Sequence, residues 1–204
     1  MKKKKQAGRV RVVARADLPT RFGRFRIAAV KGRGPEDEAV AIQHGNLKNG
    51  AAPVVRIHSQ CLTGDVFTSE RCDCRAQLEL SLRAIAKAPA GVVLYLPQEG
   101  RGIGLINKVR AYELQDEGLD TVEANRKLGF ADDARDYDFA AAALKALGVK
   151  KVRLLSNNPD KIEQLERSGV QVVERIPCRP RTSRHSREYL KTKQKKMGHL
   201  LARE

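Results

Sequence analysis

Arg56 to Cys74 read RIHSQCLTGDVFTSERCDC. Val54 to His58 reads as a strand that delivers the chain into a window where Cys61, Cys72 and Cys74 are spaced C-x10-C-x-C. Beyond Cys74 the period changes: Leu78, Leu82, Ile85 and Ala86 recur at helical spacing until Pro89-Ala90-Gly91 stops the run. Three thiolates in one short window suggest zinc, and three protein ligands leave the fourth tetrahedral position for a water that the metal acidifies. The alternatives are a disulfide or buried free thiols. Cysteines one residue apart, such as Cys72 and Cys74, rarely meet disulfide geometry.

Upstream of this window, Phe25, Ile27 and Ala29 alternate as in a strand, and a second strand lies near Ala39 to Gln43. With Val54 to His58 as the third strand, this opening is expected to be antiparallel. Downstream, GVVLYLP (Gly91 to Pro97) reads as a buried strand, and QEGRGIG (Gln98 to Gly104) as a glycine-rich loop opening a helix over Leu105 to Asp116. Such a loop presents free N–H groups to an anion or a carbonyl, although most loops of this kind bind nothing. A polar stretch, TVEANRKLGFADDARDY, precedes a helix over Phe139 to Leu147. A strand over Lys150 to Leu155, a helix over Lys161 to Ser168 and a strand over Val170 to Glu174 follow. The expectation is an α/β chain with a mixed sheet, antiparallel in its N-terminal part, and helices packed on the sheet.

At 204 residues and 41% hydrophobic content, the chain can bury one core. No apolar run approaches the ~20 residues needed to cross a bilayer, and the basic N-terminus lacks the apolar segment of a secretory signal. Three clustered cysteines fit a reducing cytoplasm. The net charge of +16 invites a polyanion partner, but it lies at the ends of the chain. Residues 1–15 carry seven Lys/Arg and no acid, and residues 178–204 carry nine against two acids. The body, 16–177, holds 24 basic and 22 acidic side chains. The expected organisation is therefore a basic leader without fixed structure over 1–15, one catalytic domain over 16–177, and a mobile basic segment over 178–204. Non-specific polyanion contact would run through the tails, because aromatics at 4% are too few for a stacking platform.

Five motifs carry a resemblance: SERCDCRAQLE (Ser69 to Glu79), LYLPQEGRGIGLINKVRAYELQD (Leu94 to Asp116), DTVEAN (Asp120 to Asn125), LGFADDARDY (Leu128 to Tyr137) and LLSNNPDK (Leu154 to Lys161). In this order they resemble GTP cyclohydrolase II, which opens the imidazole ring of GTP at the head of riboflavin biosynthesis. It releases formate and pyrophosphate and leaves a diaminopyrimidinone ribosyl phosphate. The resemblance runs from about Leu18 to about Leu201 and implies one zinc per chain on Cys61, Cys72 and Cys74, Mg²⁺ with the triphosphate, and a homodimer. It implies nucleotide contacts at Arg56, Ile57, His58, Ser59 and Gln60, at Gln77, at Glu99, Gly100 and Arg101, and at Thr121, Ser156 and Lys161. Asp133 and Arg135 take the roles of proton acceptor and nucleophile, with Tyr112 over the site. The sequence departs from the family at Gln60, where glutamate is common, and in its basic RIPCRPRTSRHSREYL segment. With no companion stretch for dihydroxybutanone phosphate synthesis in these 204 residues, the expectation is the stand-alone form.

The residue types themselves agree with most of these roles. A carboxylate such as Glu99 can accept from the guanine N1–H and amino group together, a pairing that adenine refuses. Arg56, Arg101 and Lys161 suit phosphate oxygens. A guanidinium is a poor nucleophile because it stays protonated, so Arg135 reads better as a clamp on the α-phosphate, oriented by Asp133. Cys178 reads as a bystander thiol. Two other readings stand beside the enzyme: a guanine-nucleotide-binding relative without turnover, and a zinc-stabilised nucleic-acid-binding protein.

Overall fold

The computed structural model describes residues 10–32, 34, 37–131, 133 and 135–180. Seven strands form one sheet: β1 (Arg11–Thr20), β2 (Gly23–Lys31), β3 (Glu38–Gly45), β4 (Val54–Ser59), β5 (Ala90–Leu96), β6 (Lys151–Leu155) and β7 (Gln171–Ile176), in the order β1-β2-β3-β5-β4-β6-β7. The pairs from β1 through β5 are antiparallel, and those from β5 through β7 are parallel. Six helices accompany the sheet: α1 (Leu62–Asp65), α2 (Cys74–Lys87), α3 (Gly104–Asp116), α4 (Thr121–Lys127), α5 (Asp138–Ala146) and α6 (Pro159–Arg167).

The sheet is covered on both faces. Leu82 and Ile85 of α2 pack with Phe25, Val54 and Val93 on one face. On the other, Ala140, Leu144 and Leu165 of α5 and α6 pack with Val55, Val92 and Leu94. Neighbours along β4 and β5 thus serve opposite layers, which is why both strands are buried nearly throughout. At the end of β3, Gly45 has φ +68° and an added Cβ would lie 2.0 Å from the Pro89 carbonyl oxygen, so only glycine passes beneath the α2–β5 turn.

Three sequence expectations need correction. β4 is not part of the antiparallel opening; it is parallel to β5 and β6 on its two sides. The cause is the α1–α2 crossover, which returns the chain to the same end of the sheet before β5 begins. The polar stretch after α3 contains a helix, α4, because Asp120 and Glu123 form a reciprocal capping box at its start. The basic leader ends earlier than residue 15: Arg11 already pairs with Lys31, and Arg15 with Ala28. β1 is a mostly exposed edge strand, so its arginines stay solvated and leave no inward apolar signature. At the other end, Cys178 is buried and joined to Asn157 by Cys178 N–H to Oδ1 (2.9 Å) and Nδ2–H to the Cys178 carbonyl (2.6 Å). The rest of the expected C-terminal segment, 181–204, lies outside the described residues.

Leu144 is fully buried between α5 and the sheet. Leu144→Ala should cost about 2–5 kcal/mol. In urea titration this should appear as a lower midpoint with an unchanged slope.

Candidate metal centre and its cleft

The cysteines converge because β4 ends at Ser59, two residues before Cys61 turns the chain into α1, and Cys74 opens α2 beside it. Their sulfurs lie within 4.8 Å of one another, and Cys61 Sγ is 3.6 Å from Cys72 Sγ. Two thiolates bound at ~2.3 Å to a tetrahedral zinc sit ~3.8 Å apart, so the spacing fits that ion. A Cβ at Gly64 would meet Cys72 Sγ at 2.9 Å and Cys61 Sγ at 3.2 Å, so α1 presses its one side-chain-free residue against the sulfurs. In the protein alone the thiols share negative charge. Hydrogen bonds from Cys72 and Cys74 pull Cys61 far down, and Cys72, donating to Cys61, is pushed up to about 11.

Buried polar contacts fix the Cys61 turn. The Asp65 carboxylate accepts from Cys61 N–H (3.0 Å), from Tyr95 Oη (2.9 Å) and from His58 Nε2 (3.0 Å). The His58 ring stacks on Tyr95, 5.4 Å between centroids. On the opposite side, Lys108 of α3 reaches Cys61 Sγ (3.1 Å), Thr63 Oγ1 (3.0 Å) and Glu99 Oε1 (2.7 Å). Burial opposes the Lys108 charge, but Glu99 and the Cys61 thiolate outweigh it and hold its pKa above the usual lysine range.

A cleft opens over the sulfurs at the C-terminal ends of β4 and β5. Of the residues expected to meet a nucleotide, Ser59 and Gln60 border it from the end of β4, and Gly100 and Arg101 from the turn after β5. Both of the latter have φ near +60°, a rare conformation for an arginine, which holds that turn open toward the cleft. Tyr112 of α3, Thr121 of α4 and Arg135 complete the lining. Tyr112 Oη is 3.2 Å from Thr63 Oγ1.

The other expected contacts lie behind this surface. Ile57 is fully buried, and its carbonyl accepts from Lys161 Nζ at 2.9 Å; His58 points at Asp65. Arg56 donates to the Leu155 carbonyl (3.1 Å) and to Gln77, and Ser156 is 1% exposed. Glu99 borders the cleft, but its oxygens already accept from Lys108, from Gly100 N–H (2.9 Å) and from Leu62 N–H (2.7 Å). Asp133 grips Arg135 through both Nε–H (2.8 Å) and Nη2–H. Burial would raise the Asp133 pKa, yet Arg135 overcomes it and keeps the carboxyl below its ordinary range. Lys161 is pushed well down, first by burial and then by the Arg56 and Arg135 cations.

A family model described as GTP cyclohydrolase II matches residues 10–177. The chain belongs to the GTP cyclohydrolase II family. It is 51% identical to "GTP cyclohydrolase-2" of Histophilus somni (strain 2336) over 95% of this chain and 89% of that one. It is 50% identical to "GTP cyclohydrolase-2" of Hahella chejuensis over 94% and 93% of the two chains. A third relative, "Riboflavin biosynthesis protein RibBA" of Endomicrobium trichonymphae, is 49% identical over 93% of this chain and 47% of its own length. Among the described residues no helix is long and apolar enough to cross a membrane.

Within this GTP cyclohydrolase II fold, several site residues escaped sequence reading. Lys108, Ala111 and Gln115 line the cleft from the same stripe of α3 as the expected Tyr112, a helical spacing that was there to be read. Asp65 and Tyr95 carry no local signal, because they meet only once α1 and β5 are in place. Gly64→Ala tests the packing against the sulfurs. It should lower metal affinity by about tenfold or more, since displaced ligand support typically costs 10–100-fold, while far-UV circular dichroism stays unchanged. Metal analysis after dialysis against a chelator reads the difference.

Proposed function

We propose that this chain opens the imidazole ring of GTP, releasing formate and pyrophosphate, as the first committed chemistry toward riboflavin. The observation that carries the reading is the convergence of three thiols at the floor of a cleft, in a chain matched to the family across its body. Cys61, Cys72 and Cys74 would hold one zinc per chain. Bound there, zinc supplies the Lewis acidity that makes water a nucleophile at neutral pH, as removal of a ring carbon requires. Mg²⁺ accompanies the triphosphate, whose charge it neutralises. The working form is a cytoplasmic homodimer, and the basic tails give at most non-specific polyanion contact.

The protein's own groups divide the remaining work. Arg101 and Arg135 present cations along the cleft, and Arg135 is held in one orientation by the two-pronged grip of Asp133. An ionised Asp133 already paired in this way suits orientation of Arg135 better than uptake of a proton. Arg135 then clamps the α-phosphate while pyrophosphate departs. Arg56 and Lys161 lie behind the lining, with Lys161 Nζ 4.9 Å from the centroid of the buried Tyr137 ring. The two binding-only readings lose ground because the metal ligands, the cleft and the Asp133–Arg135 pair all occur together.

The deciding assay is anaerobic: GTP with Mg²⁺, followed by formate release and the absorbance of a diaminopyrimidine. Cys72→Ser should lose both metal and formate release, and Cys178→Ser should lose neither. Absence of formate from zinc-loaded wild type would overturn the enzyme reading. Arg135→Lys should retain a rate about 10²- to 10³-fold below wild type, the usual cost of one well-aimed electrostatic contact. A nucleotide adduct on Arg135 that forms and decays at the turnover rate would instead make it a nucleophile.

A further inference from the structure

Lys108 is 8% exposed, and a buried ammonium is tolerated only when its hydrogens find acceptors. Its three contacts are a carboxylate oxygen of Glu99, the Thr63 hydroxyl and the sulfur of Cys61. Docking α3 onto the sheet would be served by the Glu99 pair alone. The contact to sulfur is different in kind, because Cys61 is one of the three converging thiols. Glu99 meanwhile accepts from the N–H of Leu62, the residue after Cys61. Lys108 and Glu99 together therefore hold the Cys61 turn by its sulfur and by its backbone. Thr63 extends the network to Tyr112, one turn beyond Lys108 on the cleft-facing side of α3.

Charge gives this arrangement a purpose. Three thiolates around a dication leave a net charge of about −1, in a site where the low dielectric magnifies every unpaired charge. An ammonium donating to one sulfur offsets that charge and draws electron density from the thiolate, which then donates less to the metal. We propose that Lys108 is a positioning residue of the metal centre: its ammonium, anchored by Glu99, caps the Cys61 thiolate and tunes the metal held by the three cysteines. Glu99 then acts on the metal centre through Lys108 and the Leu62 amide. The inference rests on the reading of the cysteines as a metal site.

The test uses full-length protein loaded with cobalt(II) in place of zinc, compared between wild type and Lys108→Met. Removing the donor raises the sulfur lone pairs in energy, so the thiolate-to-cobalt charge-transfer band should move to longer wavelength. Retention of zinc against a chromophoric chelator should fall about 10–100-fold, because the loss of the anchor that positions Cys61 outweighs the stronger donation of an uncapped thiolate. Turnover should fall more in kcat than in KM, since Lys108 addresses the metal ligand rather than the nucleotide. Lys108→Arg, which restores a cation, should recover part of the band position. If Lys108→Met does not fold, Glu99→Gln keeps the side-chain shape while loosening Lys108 and should shift the band the same way by less. A folded Lys108→Met with wild-type band and chelator resistance would overturn the proposal. Wild type lacking any thiolate charge-transfer band with cobalt would overturn the metal reading itself, which is a distinguishable failure.

Discussion

The carboxylate of Asp65 joins the sheet to the metal-binding turn, and the rest of the site depends on that junction. It accepts from the backbone of Cys61, from His58 on β4 and from Tyr95 on β5, so one buried anion registers two adjacent strands against the first cysteine. Buried carboxylates are costly unless satisfied, and three donors converging on one side chain leave it little freedom to move. Burial drives the His58 imidazole toward its neutral form despite the pull of Asp65, so that contact acts mainly as an orienting hydrogen bond. The order this imposes is passed to the sulfur through a single residue.

The two halves of the sheet contribute differently. The antiparallel strands β1 to β3 supply breadth and cover for α2, whereas the parallel strands β4, β5 and β6 align their C-terminal ends, where turns can project side chains into a common crevice. Cys61, Gly100 and Arg101 all come from such turns. Behind them, Arg56 and Lys161 are withdrawn from solvent beside Tyr137 and Arg135. Burial and the Arg56 and Arg135 cations disfavour the charged form of Lys161, and an anion brought near them would restore it.

Much of this was legible in the chain itself. α2 and β5 announced themselves through period and punctuation, and the C-x10-C-x-C spacing pointed to convergence of the sulfurs. What stayed hidden depended on partners distant in sequence. The direction of β4 is set by a crossover, not by its own residues, and an exposed edge strand such as β1 shows no alternation to detect. The α4 capping box was a local signal overlooked in a polar stretch. Residues quoted as a block, such as Arg56 to Gln60, split between layers because successive side chains of a strand face opposite sides. Glu99 borders the cleft as expected, but its bonds to Lys108 and two amides join residues far apart in sequence and could not be read locally.

The placement of β4 also bears on the order in which the molecule assembles. β1, β2 and β3 pair with their neighbours in the chain, so this meander closes short loops at small entropic cost. Val54 must instead find Gly91 on one side and Arg153 on the other, and the second of these is the longest closure in the sheet. Cys61, Asp65 and Tyr95 acquire their mutual geometry only when those closures are complete. Capture of a metal by a fully formed centre is therefore a late event in folding, and it rewards the slowest part of the topology.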